Sequence, residues 1–226
     1  MTDMHSRVGE PVTPEEAPVA SAQGKHLTKR GAATRAKLLE AAEVVFQEHG
    51  YYEASIVKIT QQAEVGLGTF YLYFDSKQAI FEALVADLNR RVRHSMSEAM
   101  AEATNRLEAE RAGFAGFFAF TAKHPALYRV IREAEFVAPA AMRRHYEKIT
   151  EGYENGLKRA AARGEIDDAL DPEISAWALM GIGELIGMRY ILWEDDEATQ
   201  GLSEERLDQM MHFIRNALEP RNGEKS

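Results

Sequence analysis

The chain has 226 residues, of which 45% are hydrophobic and 28% are charged, a balance typical of a globular protein. The absence of cysteine excludes a disulfide framework and a thiolate zinc site, and no apolar run has the length that a membrane span needs. The net charge of -9 argues at first sight against a nucleic-acid partner, and the cytoplasm is the expected compartment.

The charge is unevenly distributed along the chain. Residues 25–77 carry seven basic side chains against six acidic ones, whereas the segments before and after are acidic. Residues 1–29 hold three prolines among small and acidic residues and end in a short basic lead-in, so they are predicted to be a disordered tail. The asymmetry between residues 25–77 and the rest of the chain is mild, and by itself it does not indicate a nucleic-acid partner.

Short helices are predicted after this tail. Apolar residues of Thr34–His49 recur on one helical face, with Thr34 as the N-cap and Gly50 as the terminating glycine. Ser55 is predicted to cap a second helix, and a third runs through Leu67–Tyr73. Asp75 or Ser76 would cap a fourth helix, with Gln78 completing a capping box.

Long helices fill the rest of the chain, and no alternating strand pattern is found. They are predicted at 77–103, 107–123, 125–135, 138–163, 172–194 and 203–218. The fold is therefore predicted to be all-α. A small N-terminal unit spans 30–77, where two short helices joined by a tight turn predict a helix-turn-helix, and a larger helical bundle spans 78–226.

The stretch GLGTFYLYF, Gly66 to Phe74, forms the second helix of the helix-turn-helix, which enters the major groove of DNA. Glycines at its start allow the backbone to approach DNA closely. Thr69 offers a hydroxyl and a methyl group, while Tyr71 and Tyr73 can reach phosphate oxygens. Phe70 and Phe74 are expected to face inward.

A set of residues spread over Thr34–Leu84 resembles the DNA-binding domain of the TetR family of transcriptional repressors. It consists of Thr34-Arg35, Leu38-Leu39-x-Ala-Ala, Phe46, Gly50-Tyr51, Ile59, Ala63, Val65, Gly68-Thr69-Phe70-Tyr71, Tyr73-Phe74 and Ser76-Lys77. The DNA contacts that this resemblance implies are Thr34, Arg35, Ser55, Gly66, Leu67, Gly68, Thr69, Tyr71, Tyr73 and Lys77. Lys77 and the two tyrosines would bind the DNA backbone.

Two positions depart from the family's common pattern. Glu64 stands where a turn glycine is usual, and Gly66 stands where a serine cap is usual. The first departure puts a carboxylate near DNA and strains the turn. The second removes a helix cap.

The resemblance to TetR DNA-binding regulators also implies that the C-terminal bundle, 78–226, is a ligand-binding and dimerisation domain, in which a bound small molecule moves the two DNA-binding heads apart. Helix 172–194 is rich in glycine, and interior glycines cost about 1 kcal/mol each relative to alanine, so close approach by another helix would explain them. The predicted interface is Gly183, Gly187, Leu207, Met210, Met211 and Ile214. The alternative is that these residues belong to the internal core.

Aromatic and methionine side chains are the candidates for an effector pocket. The predicted set is Phe117, Phe120, Tyr128, Tyr153, Trp177, Met180, Glu184 and Met188, although any of the apolar members could be plain core. Glu184 would orient a polar group of the ligand or be satisfied by Arg189, Arg132 or a tyrosine. The segment Leu127–Phe136 resembles TetR regulators of fatty-acid or acyl-CoA catabolism.

The predicted function is a homodimeric repressor that binds a palindromic operator and is released by a small hydrophobic or aromatic effector, such as an acyl-CoA or fatty acid. The alternative is a helical dimeric interaction module with a vestigial DNA-binding head. An enzyme is not predicted, because the sequence has no metal-spaced histidines, nucleophile elbow or P-loop, and acidic pairs such as Glu133 and Glu135 are interpreted as solvated helix faces. No cofactor or metal is predicted.

Overall fold

The computed structural model describes Ala22, residues 26–193 and residues 201–220. Within that part the chain forms helices and no β-strand, which confirms the all-α prediction. The helices are α1 Lys29–Glu53, α2 Ile56–Gln62, α3 Leu67–Phe70, α4 Lys77–Ala99, α5 Arg106–Lys123, α6 Ala126–Val137, α7 Pro139–Ala162, α8 Pro172–Gly187 and α9 Glu204–Leu218, with a π-helical turn at Met188–Leu192. None of these helices is long and apolar enough to cross a membrane.

The described residues divide into two compact units. The first unit consists of residues 26–90 and 124–145, and the second of residues 91–123, 146–193 and 201–220. The helix-turn-helix therefore shares its unit with α6, which lies far along the chain. The boundary predicted at 77/78 placed α6 in the other domain.

Helix α1 begins earlier than predicted. Its N-cap is Thr28, whose hydroxyl accepts a 3.2 Å hydrogen bond from the amide of Gly31. Thr34 lies inside the helix and donates to the carbonyl of Arg30, so its prediction as an N-cap is wrong. Gly50, with φ +71°, interrupts the helix near the predicted end.

The short helices follow the predicted caps with two exceptions. Ser55 accepts from the amide of Lys58 at 3.2 Å and caps α2, as predicted. Helix α3 ends at Phe70 instead of Tyr73. Ser76 accepts from the amide of Ala79, but Gln78 donates to Glu82, so the predicted capping box is absent.

The second unit has an apolar core formed by α5, α7, α8 and α9. Its buried side chains include Phe114, Phe118, Leu157, Leu179, Ile191, Leu207, Met210, Met211, Ile214 and Leu218. Asp171 caps α8 by accepting from the amide of Ile174 at 2.8 Å, and Pro172 opens the helix as predicted. The predicted helix 172–194 changes to π geometry after Gly187.

Candidate nucleic-acid interface and subunit surface

The turn between α2 and α3 is closed by backbone hydrogen bonds. The amide of Val65 donates to the carbonyl of Thr60 at 3.0 Å, and that of Ala63 to Ile59 at 2.9 Å. Glu64, between them, takes φ +51°, a region that favours glycine. The strain predicted from the glutamate at this position is therefore present in the backbone.

Helix α3 has an inward and an outward side. Phe70 is fully buried and Phe74 almost so, which confirms their predicted inward direction. Outward lie Leu67 and Tyr71, which are 47% and 46% exposed, together with Gly68. The exposed leucine at the start of this short helix and the exposed tyrosine at its C-cap present an apolar and hydrogen-bonding surface that the core does not use.

The start of α3 has no side chain that caps the helix. Gly66 is the N-cap and makes no side-chain capping bond, as predicted. A β-carbon on Gly68 would meet no atom within 4 Å, so packing inside the chain does not require glycine there. The absence of side chains exposes the backbone at the end of the helix that would face a phosphate or a base edge.

Lys77 has a different place from the predicted one. Its Nζ donates to the carbonyls of Tyr51 at 2.7 Å, Ala54 at 2.8 Å and Tyr52 at 3.3 Å, and it lies 4.4 Å from the centre of the Tyr51 ring. An ammonium group has three protons, and all three are used here. Lys77 thus holds the end of α1, and its predicted contact with DNA stays a prediction.

Arg35 is half-buried in the first unit. Its guanidinium carbon lies 5.0 Å from the centre of the Phe74 ring. Burial lowers the pKa of Arg35, and the nearby charge of Asp87 opposes that shift. Thr34 is also only partly exposed and its hydroxyl is bonded within α1. The side chains of both residues are thus less accessible to solvent than expected for side chains that bind a DNA phosphate.

The predicted effector residues are not all brought together. In the second unit, the hydroxyl of Tyr146 donates to Glu184 at 3.0 Å, which agrees with the predicted tyrosine partner. The Tyr146 ring lies 6.2 Å from that of Trp177. Tyr128 belongs to the first unit and is buried there. The other predicted members in the second unit are Phe117, Phe120, Tyr153, Met180 and Met188.

A buried ion pair in the second unit was not predicted. Arg106 Nε donates to Glu110 at 2.7 Å, and the guanidinium lies 5.7 Å from the centre of the Tyr153 ring. Burial raises the pKa of Glu110 although Arg106 opposes the shift, and burial also raises the pKa of Tyr153. Because Gly156 has no side chain, the Arg106 guanidinium can occupy the space beside it. The sequence feature that could have indicated this ion pair is the i, i+4 spacing of Arg106 and Glu110.

The predicted subunit interface lies inside the chain's own core. Leu207, Met210, Met211 and Ile214 are buried in the second unit, as are Gly183 and Gly187. A β-carbon on Gly183 would lie 2.9 Å from Cε1 of Phe114, so the close approach that the glycine allows is to α5. Other side chains on these helices face solvent. That the six predicted residues form a subunit interface stays a prediction.

An exposed apolar stripe runs along α8 and onto α9. Ile174 is 70% exposed, Leu185 62% and Phe213 64%, and the stripe also includes Trp177. A β-carbon on Gly181 would meet no atom within 4 Å. Between the two helices lies a groove of about 760 Å³ lined by Gly181, Ile182, Leu185, Ile186, Tyr190, Glu205, Arg206, Gln209, Met210 and Phe213.

Residues 38–84 match the family model of bacterial regulatory proteins, tetR family. The uncharacterized HTH-type transcriptional regulator YdgC of Bacillus subtilis is 39% identical over 67 residues, which are 30% of this chain and 34% of that protein. The chain thus matches about a third of the length of that relative.

Two further comparisons cover most of the chain. The fatty acid metabolism regulator protein of Bacillus subtilis is 24% identical over 184 residues, 80% of this chain and 95% of that protein. The crystal structure of the transcriptional regulator FadR from Bacillus subtilis in complex with stearoyl-CoA has a TM-score of 0.69 at 20% identity, covering 79% of this chain and 96% of that one. Residues 38–84 are thus similar to bacterial regulatory proteins of the tetR family, and the fold of the chain is like that of the FadR structure.

Proposed function

We propose that the chain is a homodimeric repressor that binds a palindromic operator and leaves it when a long-chain acyl-CoA is bound. The observation that carries this proposal is the outward side of α3, where Leu67 and Tyr71 are about half exposed beside bare glycine backbone. A short helix of this kind after a tight turn is the element that enters the major groove in helix-turn-helix proteins.

The proposed DNA contacts fall into two groups. Gly66, Leu67, Gly68 and Thr69 face the base edges, where the methyl groups of leucine and threonine suit thymine. Ser55, Tyr71 and Tyr73 reach phosphates and fix the register, while Thr34 and Arg35 contribute from the N-terminal half of α1. Because few of these side chains hydrogen-bond to bases, DNA shape and thymine methyl groups would carry much of the discrimination.

The second copy is proposed to dock on the exposed stripe of α8 and α9. Large apolar side chains that are more than 60% exposed and lie along one face mark an interaction surface. The occupant is another copy of this chain because two helix-turn-helix heads must reach two half-sites. Because a β-carbon on Gly181 would meet no atom within 4 Å, the surface there is open and allows close approach of the two α8 helices.

The effector class rests on the relatives. One of them is named a fatty acid metabolism regulator, and a structural neighbour was crystallised with stearoyl-CoA. In this chain the second unit supplies aromatic side chains suited to an acyl chain, among them Phe117 and Phe120. Binding of the ligand to a state with differently spaced heads would shift the population of dimers away from DNA.

The experiment is a selection of DNA duplexes from a random pool with the full-length chain, followed by titration at several salt concentrations. We expect two inverted half-sites about one helical turn apart, roughly 10–10.5 base pairs, and affinity that falls steeply with salt. Stearoyl-CoA should release the duplex. Coenzyme A alone and stearate are titrated separately, to show whether either part of the molecule is enough for release. A chain that dimerises but selects no duplex would support the alternative, an interaction module with a vestigial head.

A further inference from the structure

The C-terminal end of α1 is an irregular joint. Gly50, with φ +71°, breaks the helical dihedral angles, and the amide of Ala54 donates back to the Gly50 carbonyl at 3.1 Å. One residue later Ser55 caps α2, the first helix of the helix-turn-helix. The direction in which α2 leaves α1 is therefore decided within residues 50–55.

Helix α6 holds this joint through two charged side chains. A carboxylate oxygen of Glu133 accepts a 2.8 Å hydrogen bond from the amide of Tyr51. Arg129 Nη1 donates to the carbonyl of Gln47 at 2.8 Å, and Arg129 Nε lies 3.4 Å from Glu133. An interrupted helix leaves such amides and carbonyls without intrahelical partners, and these two side chains supply them.

The fit around Gly50 shows that the joint and α6 are shaped for each other. A β-carbon at Gly50 would lie 2.5 Å from Glu133 Oε1 and 2.6 Å from Arg129 Nη2. Both charged groups therefore sit directly on the bare backbone of the break. Lys77 of α4 donates hydrogen bonds to the carbonyls of Tyr51, Tyr52 and Ala54 in the same joint.

We propose that Glu133 and Arg129 are positioning residues for DNA binding, which set the angle of the helix-turn-helix by fixing the end of α1 from α6. The inference rests on the DNA-binding function of the first unit. Both residues lie on α6, and neither is among the proposed DNA contacts. Their effect on affinity would pass through the backbone of residues 47–51.

The test compares Glu133→Ala with Glu135→Ala in the full-length chain. Glu135 is exposed, two residues further on the same helix, so both variants remove one negative charge from α6. A purely electrostatic effect would tighten DNA binding in both. We expect Glu133→Ala to bind the selected duplex about tenfold more weakly, measured well below its unfolding temperature, and Glu135→Ala to bind no more weakly than the parent.

Two further readouts separate positioning from general stability. The slope of log affinity against log salt should not change in Glu133→Ala, because no phosphate contact is lost. Glu133→Gln keeps an oxygen that can accept from the Tyr51 amide, so it should recover part of the affinity. A variant that lost only thermal stability while binding DNA as tightly as the parent would overturn the proposal.

Hydrogen exchange at the amide of Tyr51 gives a readout that needs no DNA. We expect this amide to exchange at least about tenfold faster in Glu133→Ala than in the parent or in Glu135→Ala. Unchanged exchange would refute the proposal even if the DNA-binding function held. Faster exchange in Glu133→Ala, combined with a parent chain that binds no duplex, would instead support the role of Glu133 at this joint and refute the proposed DNA-binding function.

Discussion

The carboxylate of Glu64, in the turn of the helix-turn-helix, lies 3.4 Å from the ammonium group of Lys37 on α1. Glu64 also takes φ +51°, which costs a non-glycine residue roughly 1–2 kcal/mol. The glutamate side chain is 83% exposed, and exposed ion pairs contribute at most about 1 kcal/mol. The pair therefore does not fully offset the backbone strain, and it places a negative charge beside the surface that would meet DNA.

Replacing Glu64 by glycine should improve both stability and DNA binding. Glycine adopts positive φ without the steric cost, so we expect the free energy of unfolding to rise by about 1 kcal/mol in urea denaturation. Loss of the carboxylate should also tighten binding to the selected duplex at low salt, an effect that salt would reduce.

The matched control is Glu64→Gln, which removes the charge and keeps the strained backbone. It should tighten DNA binding without raising the free energy of unfolding. If Glu64→Gly were less stable than the parent, the glutamate would be contributing a contact that outweighs the strain.

Local features of the fold were predictable from the sequence because their partners are three or four residues away. Ser55 and Ser76 cap helices as predicted, since a capping oxygen bonds to an amide three residues further on. The strained Glu64 and the uncapped Gly66 followed from the residue types that such a turn and cap prefer.

Partners far apart in the chain were not predictable. Glu133 was interpreted as part of a solvated face, but its partner Tyr51 lies 82 residues earlier. Gly183 signalled close approach correctly, yet periodicity alone does not say that the approaching atom belongs to Phe114 of the same chain. An apolar stripe at helical spacing fits an internal core as well as a subunit interface, and tertiary packing decides between them.

The carbonyl contacts of Lys77 lead to a test of whether this side chain holds the end of α1 or binds a DNA phosphate. In Lys77→Met the aliphatic stem is kept but the three carbonyls lose their donor, so the free energy of unfolding should fall by about 2 kcal/mol. DNA affinity should fall as well, with a change in the salt slope well under the roughly 0.9 that one lost phosphate contact produces.

Tyr73→Phe is the comparison for this variant. It removes a hydroxyl proposed to reach a phosphate, so DNA binding should weaken while the free energy of unfolding stays within about 0.5 kcal/mol of the parent. A Lys77→Met protein as stable as the parent, with a clearly flatter salt slope, would restore the lysine to the DNA contacts.

The proposed docking of a second copy on the exposed stripe of α8 and α9 predicts which substitutions break the dimer. Leu185→Glu puts a charge in the centre of the exposed stripe, where it would be buried against the second copy. We expect the dimer to weaken by about 2–3 kcal/mol, roughly a hundredfold, with an unchanged unfolding temperature of the monomer. Sedimentation equilibrium measures the association directly.

Phe136→Glu provides the matched control, because Phe136 is also largely exposed but lies on α6. It should leave the dimer intact. Gly183→Leu should lower the stability of the fold instead, since the added side chain collides with Phe114. Dissociation by Phe136→Glu with no effect of Leu185→Glu would move the interface to α6.

The pH dependence of stability should report on the start of α5. Glu165 accepts a 2.5 Å hydrogen bond from Arg163 Nε and a 2.7 Å bond from the amide of Arg106. The bond from Arg163 lowers the pKa of Glu165 below its ordinary value of 4.5, helped by the Arg106 amide and by both positive charges, while burial opposes the shift.

A carboxyl group whose pKa is lower in the folded than in the unfolded chain stabilises the fold fully above pH 4.5. That contribution is lost as the pH falls through the range below 4.5, because the unfolded chain then takes up the proton first. Urea denaturation of the parent between pH 6 and pH 3 (roughly the range spanning carboxyl titration) should therefore lose stability more steeply than that of Glu165→Gln.

The control for this comparison is Glu151→Gln, which removes one exposed carboxylate from α7. Its stability should run parallel to that of the parent over the same pH range, and the curves of the parent and Glu165→Gln should converge toward the acid end. Parallel curves for the parent and Glu165→Gln would mean that the carboxylate gives no net stabilisation to the first turn of α5. The helix would then depend on the packing of its apolar face and on the buried pair of Arg106 and Glu110.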